Sequence, residues 1–112
     1  MPRSTTCPDP RFTLEHAAAL EHLLEIASRD TGQSRRVADF LLAWWNAETM
    51  GGFDMTDLWG LDGAIRVSVV KIFVYLAQGT RYYPDSLGYE AEFTALVRAW
   101  RPQKLKDQQT TE

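Results

Sequence analysis

Asp54, Asp57 and Asp62 are the residues whose chemistry would matter most if they met, because three carboxylates can hold a hard divalent cation and support metal-dependent catalysis. Their spacing does not fit the EF-hand loop, since Asp54 has Thr56 and Leu58 at the third and fifth positions. Asp57 and Asp62 each stand where a helix N-cap is expected, so two caps and one turn carboxylate is the preferred account. The two histidines, His16 and His22, lie six residues apart on a helical segment, which turns them to different faces and prevents joint chelation; both are expected to be solvated. His22 and Glu25 do share a face, as half of a carboxylate-bridged metal site would, but the order is reversed and no second pair exists. Cys7 sits in a Pro-rich leader with no base to activate it. Gly51-Gly52 has neither a preceding strand nor a following Gly-Lys-Ser, so it is a helix C-cap with positive φ at one glycine rather than a phosphate cradle. No catalytic residue, metal ligand or cofactor is therefore assigned, and a non-enzymatic protein is expected.

Binding chemistry is better represented. Positions 37–65 hold no Lys or Arg, although Asp39, Glu48, Asp54, Asp57 and Asp62 fall there among Trp44, Trp45, Phe53 and Trp59. That pattern predicts a local negative field with aromatic anchors, the anatomy of a contact site for a basic protein surface. The candidate partner-binding residues are Glu48, Phe53, Asp54, Asp57, Trp59 and Asp62. Trp59 has two readings, a plug at the end of the helices or an exposed anchor, and the plug is the plainer one. A third functional reading takes Arg29, Arg35 and Arg36 as a DNA contact at the first helix–helix turn of a small regulator. Tyr82 and Tyr83 beside Arg81 could stack bases, but their acidic neighbours favour a role in closing the fold. Arg98, Arg101, Lys104 and Lys106 oppose the acidic stretch in sign and could dock on it in a neighbouring molecule.

These side chains must be positioned by helices. Thr13 is a good N-cap, and Leu14, Ala17, Leu20, Leu24 and Ala27 recur at helical spacing, which predicts a first helix over 13–29. Asp30-Thr31-Gly32 reads as a turn, Ser34 as the cap of a second helix, and Val37, Phe40, Leu41, Trp44 and Ala47 as its buried stripe. Thr56 is expected to cap a short turn at Asp57-Leu58-Trp59, and the Asp62 side chain to cap a third helix reaching about residue 78. Residues 65–75 are rich in β-branched types, which favour strands. Helix is preferred because alternation fails at Val69-Val70 and no second strand exists to satisfy the backbone. Tyr89, Phe93, Leu96, Val97 and Trp100 mark a fourth helix that Pro102 ends. The expected architecture is all-α, a small antiparallel four-helix bundle with a long acidic-aromatic connection between helices 2 and 3. Trp44 and Trp100 belong to its core. The third helix carries only Arg66 and Lys71 as charges, so it is either central or shared with a second copy in a homodimer.

With 112 residues, 45% of them hydrophobic, the chain supports one core: a mobile leader over 1–11, one helical domain over 12–102 and a mobile polar tail over 103–112. The net charge of −3 argues against general affinity for nucleic-acid backbone. A lone cysteine, the absence of an apolar signal core and the lack of any apolar run near the roughly 20 residues of a membrane span together predict a cytoplasmic protein.

From Leu41 onward the chain also resembles a known group. Ala43-Trp44-Trp45-Asn46-Ala47, Gly51-Gly52-Phe53-Asp54, Asp57-Leu58-Trp59, Tyr83-Pro84-Asp85-Ser86-Leu87-Gly88-Tyr89 and Leu96-Val97-Arg98-Ala99-Trp100-Arg101-Pro102 are similar to an uncharacterised small helical domain family of proteobacterial integrating conjugative elements, plasmids and phage-derived regions. The strings span a little over half of the chain. The family carries no assigned reaction, ligand or partner, so the resemblance implies only a setting in mobile DNA. Small acidic proteins in that setting act by binding host or competitor machinery, inhibitors of defence systems such as CRISPR among them.

Overall fold

The structure is a computed structural model that describes residues 8–79 and 81–104, so Cys7, Lys106 and most of the expected leader and tail lie outside the described residues. Every regular element among the described residues is helical. They are α1 (Leu14–Ala27), α2 (Gly32–Met50), a 3₁₀ turn (Met55–Gly60), α3 (Gly63–Ala77), a π-helical turn (Asp85–Tyr89) and α4 (Glu90–Trp100). Residues 65–75, rich in strand-forming types, are helical because burial on α1 rewards Ile65, Val69 and Ile72 at helical spacing. α1 is the hub, packing along both α2 and α3, while α4 packs on α2. Leu20 and Leu23 of α1, Leu41 of α2, Ile72 of α3 and Phe93 of α4 are wholly buried where these faces meet.

The ends of the helices show where local chemistry was legible and where it was not. Thr13 caps α1 in a reciprocal box: its hydroxyl accepts from the His16 N–H at 3.5 Å, and its own N–H donates to His16 Nδ1 at 3.1 Å. α2 is capped by Thr31, not by Ser34. The Thr31 hydroxyl accepts the Ser34 N–H at 3.0 Å, and Ser34 lies inside the first turn, buried. The helix breaks at Asn46 (φ −166°, ψ 84°), where the side-chain oxygen accepts the Thr49 N–H at 3.2 Å and starts a last short turn. Gly51 (φ 98°) then ends the helix, as its sequence suggested.

Two further caps differ from expectation. Asp54, rather than Thr56, caps the 3₁₀ turn, accepting from the Thr56 N–H at 2.9 Å and the Thr56 hydroxyl at 2.8 Å. Asp62 occupies the N-cap position of α3 but makes no side-chain cap bond. It is held by Gln33 of α2 instead, whose Oε1 accepts the Asp62 N–H at 2.6 Å and whose Nε2 donates to the carboxylate at 3.3 Å. The Asp62 carboxylate is thus turned to a long-range amide of α2 and not to the N–H groups of its own helix.

Residues ahead of α1 are also engaged. Asp9, placed in the leader by its Pro-rich neighbours, is 2% exposed and accepts a hydrogen bond from the Tyr75 hydroxyl of α3 at 2.8 Å. The Phe12 ring packs edge-on against Tyr75, and His16 lies 5.2 Å from the same ring.

Candidate functional site

The 3₁₀ turn sits over the start of α2 and is fixed from three sides. Asp54 pins its first residues, and its carboxyl lies below the usual aspartate range because the Thr56 hydroxyl and N–H both bond the anion, outweighing a small opposing effect of burial. Asp57 faces α2, with Oδ1 3.6 Å from Arg36 Nε and Oδ2 4.0 Å from Arg35 Nη1. Gly60 lets the Arg36 guanidinium pass against the backbone: a Cβ there would stand 2.8 Å from Arg36 Cζ, and one on Gly32 would stand 3.5 Å from Arg36 Nη1. The guanidinium is therefore held between two glycines. Phe53 leads into the turn, half-buried, its ring edge-on to Phe40 of α2 at 5.4 Å.

From this fixed base Trp59 projects into solvent, 82% exposed, with Met55 of the same turn 65% exposed. The plug reading of Trp59 is overturned. The turn is only six residues long, and the residue it packs against the core is Leu58, while Arg36 and Asp57 lie between it and α2. The other tryptophans behave differently. Trp44 and Trp100 are half-buried against the core, not enclosed by it, and donate their indole N–H groups to Tyr82 O at 3.3 Å and Ala27 O at 2.9 Å.

The negative field expected over positions 37–65 is largely cancelled by arginines from outside that window. Asp39 is bonded by Arg35 at 2.8 Å and by Arg101 at 2.7 Å, and Asp57 faces Arg36. Glu48 and Asp54 remain at the surface without an arginine or lysine partner among the described residues, and Asp62 is turned to Gln33. Arg101 is engaged within its own molecule. Its Nε also donates to Met50 O at 2.9 Å, at the carbonyl end of α2 where a cation is favoured.

The remaining chemical candidates are dispersed. Asp54, Asp57 and Asp62 turn respectively to Thr56, Arg36 and Gln33, and no group of three His, Cys, Asp or Glu among the described residues is placed to hold a metal ion. Glu25 pairs with Arg29 at 2.7 Å instead of joining His22. His22 Nδ1 lies 2.8 Å from the Ser68 hydroxyl of α3, and His16 serves the α1 cap, so neither histidine is simply solvated. Arg29, Arg35 and Arg36 each face a carboxylate. A shallow groove between α1 and α4, lined by Leu24, Ser28, Glu92, Ala95, Leu96 and Ala99, is apolar and offers no convergent polar groups.

Met55 was missed at the sequence level; an apolar side chain in a polar, glycine-rich connection was its only signal. Arg36 was noticed for DNA, whereas its place is beneath the turn.

An all-helical domain with a short 3₁₀ turn that presents an exposed indole is thus the class defined by fold and site. Residues 17–101 match the model of DUF7673, a family of unknown function, and the chain belongs to that family. No curated protein and no solved structure matches it.

Proposed function

We propose that this protein is a non-enzymatic interaction module, an antiparallel four-helix scaffold whose docking face is the 3₁₀ turn between α2 and α3. The exposure of Trp59 on a turn locked by Asp54, Asp57 and Gly60 carries this reading. An indole covers about 200 Å², so enclosing it in a partner's pocket is worth about 5 kcal/mol before association costs. Because the turn is already fixed, little ordering entropy is lost on docking. Met55 extends the apolar contact, and the neighbouring Asp54, whose charged form is favoured by its bonds to Thr56, suits a partner whose pocket has a basic rim. Phe53 and Asp57 brace the turn on α2, and Asp62 ties the chain after it to Gln33, so they act on binding by holding Trp59 in place.

The resemblance to domains of mobile elements supplies the setting: a cytoplasmic module of an integrating element, plasmid or prophage that engages a host or competitor protein, inhibition of a defence system being one such role. The test is affinity capture from a host lysate with wild type, Trp59→Ala and Asp54→Lys. A specific protein retained by wild type and lost with Trp59→Ala, at unchanged melting temperature, is the expected result. Equal retention by Trp59→Ala would remove the proposal.

A further inference from the structure

The outward face of α3 is apolar. Val67, Val70, Phe73 and Val74 are each 48–54% exposed, while the opposite face of the helix is buried through Ile65, Val69, Ile72 and Tyr75. The outward residues follow a heptad: Gly63, Val67, Val70, Val74 and Ala77 are separated alternately by four and three positions, the spacing of a helix-pairing seam. Valines 67 and 74 take the a-type positions; Gly63, Val70 and Ala77 take the d-type positions, and Gly63 and Ala77 are small enough for close approach. Arg66 and Phe73 flank the seam on one side, Ala64 and Lys71 on the other, each pair seven residues apart. Lys71 is bridged to Glu15 of α1 at 3.1 Å, and Arg66 donates to Leu61 O, so both charges stand at the margins.

We propose that this face is a homodimer interface, occupied by α3 of a second copy running antiparallel. In that direction the heptad is self-complementary. Val67 faces the second copy's Val70, and Val74 faces the second copy's Gly63, large against small. On the flanks Arg66 lies against the second copy's Phe73, a guanidinium on an aromatic face, and the Lys71 stem lies against the second copy's Ala64. A parallel pair would instead bring Arg66 beside the second copy's Lys71, two cations in contact. The residues of this sequence outside the described range, 1–7 and 105–112, contain no apolar stripe that could cover the face in their place.

Sedimentation equilibrium of the full chain with reductant present tests this. Wild type is expected to dimerise in a reversible, concentration-dependent way, and Val70→Glu with Val74→Glu to weaken it by at least about tenfold. The circular dichroism of that variant should stay unchanged, and so should its melting temperature at concentrations low enough that the wild type is monomeric, since both side chains are half exposed. A wild type that stays monomeric at about 200 µM, or a dimer indifferent to the double variant, would overturn the proposal. Orientation is read separately in a Cys7→Ser background, by mixing Val67→Cys protein with Val70→Cys protein under mild oxidation. Cross-links between the two variants are expected to dominate; preferred 67–67 and 70–70 links would overturn the antiparallel arrangement.

Discussion

Asp9 is kept anionic by the bonds it receives, although it is buried. Burial pushes its carboxyl up, but the Arg11 N–H, the Tyr75 hydroxyl and the Arg11 guanidinium all favour the charged form, and the balance lies below the ordinary aspartate value. A lowered carboxyl contributes stability that is fully present above the unfolded value of about 3.9 and is lost as pH falls through the lower folded value. Tyr75→Phe removes one of the bonds, so it should cost about 1–2 kcal/mol near neutral pH. It should also shrink the extra acid lability between the unfolded and folded values, because less depression is left to lose. Urea denaturation of both proteins at a series of pH values below 5 checks both effects. Nothing in the sequence around Asp9 announces this role, because its partner Tyr75 lies 66 residues away.

At the scale of elements, the joints between helices depend on single long-range side chains. Arg101, at the end of α4, bonds Asp39 of α2 and caps the carbonyl end of α2 at Met50, with only 24% of its side chain exposed. Arg101→Ala should cost about 2–3 kcal/mol, since it leaves a partly buried carboxylate and a helix-end carbonyl short of a donor. Arg101→Lys should restore little, because one ammonium cannot serve both acceptors in the geometry of a planar fork. Chemical denaturation of the two variants measures this. The caps read from local pattern at Thr13 and Gly51 match the structure, as each depends on its own neighbours or on positive φ. The caps at Thr31 and Asp54 were displaced by two or three residues, because several residues near a helix start can accept the same N–H and packing chooses among them.

For the whole molecule, the decisive correction is to the electrostatics. Positions 37–65 are acidic as a string, yet Arg35, Arg36 and Arg101 fold over them, and the surface that remains is mixed in sign with an indole at its centre. Binding through Trp59 should accordingly depend weakly on salt: capture of the partner should persist at an ionic strength of about 0.5 M, where exposed charges more than about 4–5 Å apart are screened. Loss of capture on raising salt alone would mean that Asp54 and Glu48 carry the contact instead.

By itself the sequence determined that the chain folds as helices, where their apolar stripes run and which glycines end them, because periodicity, capping and positive φ act over a few residues. It also marked the connection around Trp59 as unusual and α3 as too apolar for an ordinary surface helix. Only the tertiary structure decided which way Trp59 points, which arginines neutralise Asp39 and Asp57, and that Asp54, Asp57 and Asp62 diverge. Those outcomes depend on residues far apart in the chain being brought within a few ångströms, and the spacing of types along a string carries no information about such distances.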